Sequence, residues 1–299
     1  MRALRIHAYG GPEQLKIEEV ADPHAGPGEI RIRVSAASIN PLDGKILRGV
    51  MAGGAALAEP TGLGFDASGV VDEVGEGVSG VSVGDDVFGL GSQTQAELAV
   101  LTAWTAKPAS LDWGVAGAAG VAAETAIRAL DLLGIGSGST LLIDGASGGV
   151  GAVAVQIAVA RGATVVATAS EANQDYLREI RAVPIVYGDG LAERVTGTGV
   201  GPLDGVLDVA GQTPITDLTA LVADPAQVVS IANFGAAEAG ARLTTGGAGD
   251  KAAALAEGAR LLENSQLVIK AQTFPLDRAA EGYQTILSGH TRGKIVLLP

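Results

Sequence analysis

The 299-residue chain has a formal net charge of −13 and is 47% hydrophobic, so it has apolar material for two cores and would be repelled by nucleic-acid phosphates and anionic membrane surfaces. It contains no cysteine, which excludes disulfides, thiol catalysis and thiolate zinc sites. The opening MRALRIHAYGG lacks a signal peptide's apolar core, and no apolar run reaches the roughly 18 residues of a membrane span, so a soluble, cytoplasmic protein is expected.

The first hundred residues read as strands and turns. Glu29 to Ala36 alternates Ile30, Ile32 and Val34 with Arg31 and Arg33, the period of a half-buried strand whose arginines face solvent. Gly69 to Val74 continues into Gly75, Gly77, Gly80 and Gly84, and such punctuation suits a small barrel or curled sheet. From about Leu111 the texture becomes alanine-rich, and Ala118 to Leu133 carries apolar residues at helical spacing. Phe88, Trp104 and Trp113 read as packing residues, and His7 and His24 have no assigned role.

Ser139 to Asp144 is an apolar run suited to a buried parallel strand, Gly149 to Ala160 repeats apolar residues at helical spacing, and Thr164 to Ala169 is a second strand. Between the first two lie Gly145, Gly148 and Gly151, spaced to turn tightly off the strand, admit a pyrophosphate and pack the helix against the sheet. The helix N-terminus then meets the phosphates with its unpaired N–H groups. Gly145, Ser147, Gly148, Gly149, Val150 and Gly151 are therefore assigned to a dinucleotide, in the strand-turn-helix context that the fingerprint requires.

The same letters contain a rival. Gly145-Ala146-Ser147-Gly148-Gly149 also spells the nucleophile elbow of an esterase, with Ser147 as nucleophile and His290, the one downstream histidine, as base. A hydrolase has no use for Gly151 or for a long strand-rich region before its sheet, and no His-Gly-Gly oxyanion segment is present.

Further strands are expected at Val183 to Tyr187, Gly205 to Ala210 and Gln227 to Ala232, which with their intervening segments imply a doubly wound parallel sheet. Asp250 to Glu263 reads as helix, Leu267 to Phe274 as extended, Leu276 to Ser288 as helix and Lys294 to Leu298 as a closing strand.

Together these pieces resemble the zinc-independent quinone oxidoreductase, or zeta-crystallin-like, branch of the medium-chain dehydrogenase/reductase superfamily. The resemblance spans the chain: MRALRIHAYGGPEQLKIEEV looks like the opening strand pair, SAASINPLDGKILRG the active-site segment, GFDASGVVDEVGEGVSGVSVGDDVFG the barrel hairpin, GASGGVG the nucleotide loop and LSGHTRGKIVLLP the end. It implies an α/β fold, a doubly wound parallel Rossmann sheet plus a GroES-like β-rich barrel, divided as 1–115 catalytic, 116–250 dinucleotide-binding and 251–299 returning to the catalytic domain. Zinc-dependent relatives carry a cysteine within the segment 38–43 and a histidine within 64–66; Asn40 and Phe65 stand there, so no metal is expected. The implied reaction is hydride transfer from NADPH, in preference to NADH, to a quinone or an α,β-unsaturated carbonyl, in the cleft between the domains. An enoyl or alkenal reductase of a biosynthetic pathway and a nucleotide-binding protein without turnover are the alternatives.

The resemblance also assigns residues. Asn40 would donate a hydrogen bond to the nicotinamide ribose or the substrate oxygen, its bland alternative being an Asn-Pro turn cap; Asp43 and Lys45 stand where the family places polar active-site groups. Small hydroxylated residues at the end of the second strand, with Ser170 closing them, favour NADPH because no acid stands there to repel a 2′-phosphate, although Glu171 follows and no base lies within 170–176. Tyr187 is placed near the adenosine phosphate, Arg292 and Lys294 as sources of positive charge, and Thr125 facing the nicotinamide. Ala210, Gly211, Ile231, Asn233 and Phe234 complete the cofactor set at carboxyl ends of strands. The acceptor is expected against loops 51–60 and 236–249, and pairing as a homodimer is implied.

Overall fold

The chain opens with two short antiparallel strands, β1 (Arg2–Ile6) and β2 (Lys16–Glu19), before the long strand β3 (Ile30–Ile39), which buries Ile30, Ile32 and Val34 and turns Arg33 to solvent. Helix α1 (Pro41–Leu47) and strands β4 (Thr61–Gly62), β5 (Asp66–Val74), β6 (Asp86–Gly91) and β7 (Leu98–Ala106) follow. β3 pairs antiparallel with both β5 and β7, while β6 joins those two, so four strands close on themselves around Ile30, Ile32, Val71, Val87 and Leu101. Closure leaves these strands without a free edge, as the glycine-punctuated pattern predicts. Helix α2 (Trp113–Leu133) begins five residues before the periodicity at Ala118 shows it.

The alternating region builds β8 (Thr140–Asp144), α3 (Gly149–Ala160), β9 (Thr164–Ala169), α4 (Gln174–Glu179), β10 (Val183–Val186), α5 (Leu191–Gly197), β11 (Gly205–Asp208), α6 (Ile215–Thr219), β12 (Val228–Ser230) and β13 (Arg242–Leu243). The strands form one parallel sheet in the order β10-β9-β8-β11-β12-β13. The order reverses between β8 and β11, and a ligand of such a sheet binds beyond the carboxyl ends at that reversal. β11 stops at Asp208 rather than Ala210, because the N–H groups of Ala210 and Gly211 turn back onto the Asp208 carboxylate instead of a neighbouring strand.

Helix α7 (Lys251–Glu263), β14 (Ala271–Pro275), α8 (Ala279–Leu287) and β15 (Lys294–Leu298) complete the chain. The extended segment expected from Leu267 pairs only from Ala271 onward; before that, the Val268 backbone is held at both N–H and C=O by the buried Gln156 side chain, at 2.9 and 3.0 Å. The expected helix at Leu276 starts with a tight turn, Leu276–Arg278, before α8. β15 runs antiparallel to the end of β3, pairing Ile295 with Ile39 and Val296 with Ser38, which brings Lys294 beside Asn40.

In this computed structural model, which describes every residue except Ala248 and His290, the chain forms two compact units. One contains Met1–Val121, Lys251–Glu263 and Ile269–Pro299; the other contains Ala122–Asp250 and Asn264–Val268. Ala248, in the expected acceptor loop, and His290, the base of the hydrolase reading, lie outside the described residues.

Candidate active site and nucleotide loop

β8 leads into a turn whose three glycines do three different things. Gly145 adopts φ +87°, a left-handed conformation that L side chains rarely take. At Gly151 a Cβ would lie 2.4 Å from the Gly145 carbonyl oxygen, so only glycine lets α3 sit this close to the turn. At Gly148, by contrast, a Cβ would meet only that same oxygen at an ordinary 3.6 Å, so the backbone is bare where the protein does not need it to be. Gly148 is also the N-cap of α3 and supplies no side-chain partner for the first-turn N–H groups, the arrangement that receives an anion.

The neighbouring loops meet this turn. Gly145 donates its N–H to Thr168 Oγ1 at 2.9 Å and Ala146 to the Thr168 carbonyl at 2.9 Å. Asn173 Nδ2 donates to Ser147 Oγ at 3.4 Å and to Ser170 Oγ at 3.2 Å, tying the glycine turn to the end of β9. Tyr187 is 51% exposed, and its loop is gripped by Arg194, whose guanidinium donates to the carbonyls of Val186, Gly188 and Asp189, each at 2.7 Å. Ala210, Gly211 and Phe234 are exposed, Ile231 and Asn233 half-buried, all past the carboxyl ends of β11 and β12. Thr125, which the resemblance places facing the nicotinamide, directs its hydroxyl toward Glu124 Oε2 at 3.3 Å, beside the buried Arg128–Glu124 ion pair.

The barrel unit holds a second polar cluster. Asn40 is 2% exposed; Nδ2 donates to Asp66 Oδ1 at 2.8 Å and to Ser38 Oγ at 3.1 Å, while Oδ1 accepts from the Lys294 ammonium. Both amide hydrogens thus have partners within the protein. Asn40 is also the N-cap of α1, with Pro41 in the first turn, and its own N–H is held by Asp43 Oδ2 at 2.7 Å. Asp43 is fully buried, its Oδ1 accepting from the Gly64 N–H at 2.7 Å. Burial pushes its carboxyl up to about 7; the two N–H groups and Lys294 pull down, and Asp66 adds to the rise.

Lys294 is 4% exposed and donates to Asn40, and burial lowers its pKa while Asp66 and Asp43 oppose that shift. Lys45 is half-buried on α1 and Arg292 is exposed. Asp66 escaped the sequence reading, yet it anchors the cluster: it also accepts from Ser38 Oγ and, at 2.8 Å, from the Val121 N–H of α2. The sequence signal was an acid between Phe65 and Ala67, at the first position of β5.

Two family models match the chain, the alcohol dehydrogenase GroES-like domain over residues 26–132 and the zinc-binding dehydrogenase over residues 184–297. The quinone oxidoreductase of Sus scrofa is 30% identical over 329 aligned residues, covering 100% of this chain and 98% of that protein. This chain belongs to the quinone oxidoreductase family. It is thus an oxidoreductase of the medium-chain dehydrogenase/reductase superfamily, with the α/β architecture that the strand pattern predicts. Another relative, the 2-methylene-furan-3-one reductase of Solanum lycopersicum, is 34% identical over 197 residues, 61% of this chain and 50% of that one. A mycobacterial protein solved in complex with NADPH superposes with a TM-score of 0.86 at 25% identity, over 100% of both chains.

The matched dehydrogenase model raises the question of a zinc ion in this quinone oxidoreductase relative, and the residues do not fit one. At the two positions where a cysteine and a histidine would ligate, Asn40 has its oxygen occupied by an ammonium and Phe65 has no donor atom. The bare phosphate turn does fit a dinucleotide, with Gly148 and the α3 N-terminus as its holding groups.

Proposed function

We propose that this protein transfers hydride from NADPH to a quinone or an α,β-unsaturated carbonyl without a metal. The observation that carries the reading is the glycine turn open at Gly148, where a side chain would meet nothing closer than 3.6 Å. The nicotinamide, when bound, supplies the hydride. Conjugated acceptors suit a site without a Lewis acid, since the electron pair delocalises onto the carbonyl oxygen as hydride arrives, and a proton from solvent completes the hydroquinone O–H or, for an enone, the α carbon–hydrogen bond. The protein's part is orientation: β8, β9, β11 and β12 present their loops to the dinucleotide, and the buried cluster fixes the segment from Ser38 to Asp43. Exposed Val50 and Met51, just past α1, offer apolar surface to a flat acceptor.

NADPH is favoured over NADH because Ala169 ends β9 and Ser170 follows it, where an NAD-selective protein places an acid. The test is purified protein with NADPH or NADH and two acceptor panels. Quinone-dependent cofactor oxidation that survives exhaustive chelation supports the reading; enone-only turnover supports the reductase alternative, which the Solanum relative favours. Tight cofactor binding without turnover of either panel would leave a nucleotide-binding protein, and ester cleavage lost on Ser147→Ala would restore the hydrolase.

A further inference from the structure

Four polar side chains lie in one row at the carboxyl ends of the four central strands of the parallel sheet. Asp144 is the last residue of β8 and Asp208 the last of β11, and the two are register partners; Ser230, the last of β12, pairs with Asp208, and Thr168 stands at the end of β9 next to Asp144. All four are buried. Strands covered on both faces are normally apolar throughout, and desolvating a carboxylate is costly unless donors compensate it. Here every donor comes from inside the row or from the loops that follow the strands.

The bonds have a direction. Ala232 and Asn233 give their N–H groups to Ser230 Oγ at 3.1 and 2.9 Å, and the Ser230 hydroxyl passes its hydrogen to Asp208 Oδ2 at 2.7 Å. Asp208 Oδ1 collects the N–H groups of Ala210 at 3.1 Å and Gly211 at 2.7 Å. On the other side Gly145 gives its N–H to Thr168 Oγ1, which donates to Asp144 Oδ1 at 2.5 Å. Each hydroxyl is thus acceptor to a loop and donor to a carboxylate, and three loops are tied to one rigid row: the glycine turn, the turn after β11 and the turn after β12.

We propose that Thr168, Asp144, Asp208 and Ser230 are positioning residues for the dinucleotide, setting the backbone of the loops that contact it without touching it themselves. The inference rests on the nucleotide reading of those loops. It explains why polar groups occupy a place where Val or Ile would pack at no cost: backbone N–H groups leaving a strand end point wherever their acceptor is, and a buried acceptor leaves them one direction. Asn at 208 cannot substitute, because both carboxylate oxygens accept and an amide has one acceptor in either orientation.

The experiment is fluorescence titration of the full chain with NADPH and NADH, on the parent, Thr168→Val, Thr168→Ser and Asp208→Asn, at a temperature where circular dichroism shows each folded. Thr168→Val keeps the shape and removes the hydroxyl, so its Kd for both cofactors rises about tenfold, while Thr168→Ser, which keeps the hydroxyl, stays within about threefold of the parent. Asp208→Asn also weakens binding about tenfold. A purely structural role would lower melting temperature and leave Kd in place; Thr168→Val binding within twofold of the parent overturns the proposal even if Asp208→Asn fails to fold. A parent that binds neither cofactor overturns the nucleotide reading itself, a result distinguishable because it appears before any variant is compared.

Discussion

Lys294 donates its ammonium to the side-chain oxygen of Asn40 across 254 positions of sequence, and both residues are buried. The bond joins the last strand to the start of α1 and sets a cation among the carboxylates of Asp43 and Asp66. Removing one member of such a group leaves the others buried without compensation, which costs about 3–5 kcal/mol. Lys294→Met should lower the unfolding free energy by that order in urea titrations. A loss below about 1 kcal/mol would show that the cluster is held by its neutral hydrogen bonds alone.

The three glycines of the nucleotide turn should separate by experiment. Gly148→Val adds a side chain where the protein offers space, so its melting temperature stays near the parent's while NADPH binding is abolished. Gly151→Val instead drives atoms into the Gly145 carbonyl and should lose the fold before it loses the ligand. Calorimetric titration beside thermal melting checks both, and retained binding in Gly148→Val would count against the placement of the diphosphate.

Asp43 carries its proton to higher pH in the folded chain than in the unfolded one, where a carboxyl titrates near roughly 4. Between these values the native state binds the extra proton, so this residue's contribution to stability declines as pH rises from about 4 to about 7 and is flat above that. The stability difference between parent and Asp43→Asn should therefore shift against the parent by a few kcal/mol over that window, at most about 4 on the linkage relation. Urea midpoints measured at several pH values decide it, and curves that run parallel for the two proteins would refute the raised titration.

Arg194 holds three carbonyl groups of the Tyr187 loop, those of Val186, Gly188 and Asp189. Arg194→Met keeps the apolar stem and removes the donors, so a loss of about 1–2 kcal/mol in stability is expected. If Tyr187 lies against the adenosine, the same change also weakens NADPH by several-fold, and Tyr187→Ala in that background adds little more. Independent, additive effects of the two substitutions on Kd would mean that the loop's order does not matter to the ligand.

Much of the nucleotide unit was legible because its signals are local. A strand, a glycine turn and a helix within about 30 residues need no distant partner to be recognised, and α3, β9 and β15 fall at the bounds their periodicity predicts. The ends of β11 and β12 were read too long, because their last residues look like strand while their backbone donors are captured by Asp208 and Ser230. Thr125 is assigned through the resemblance; its hydroxyl lies against Glu124, which pairs with Arg128 one helical turn on, a contact its local sequence does not announce.

From the residues alone came the alternation of β3, the parallel α/β order, the phosphate turn and the lack of cysteine, since each depends on chemistry within a few neighbours. Tertiary structure decided that Asn40 spends its amide on Asp66 and Ser38, that Lys294 faces inward and that Asp144 and Asp208 stand side by side. A buried polar group is defined by what surrounds it after folding, and those partners come from strands up to 254 residues apart whose pairing no local pattern encodes.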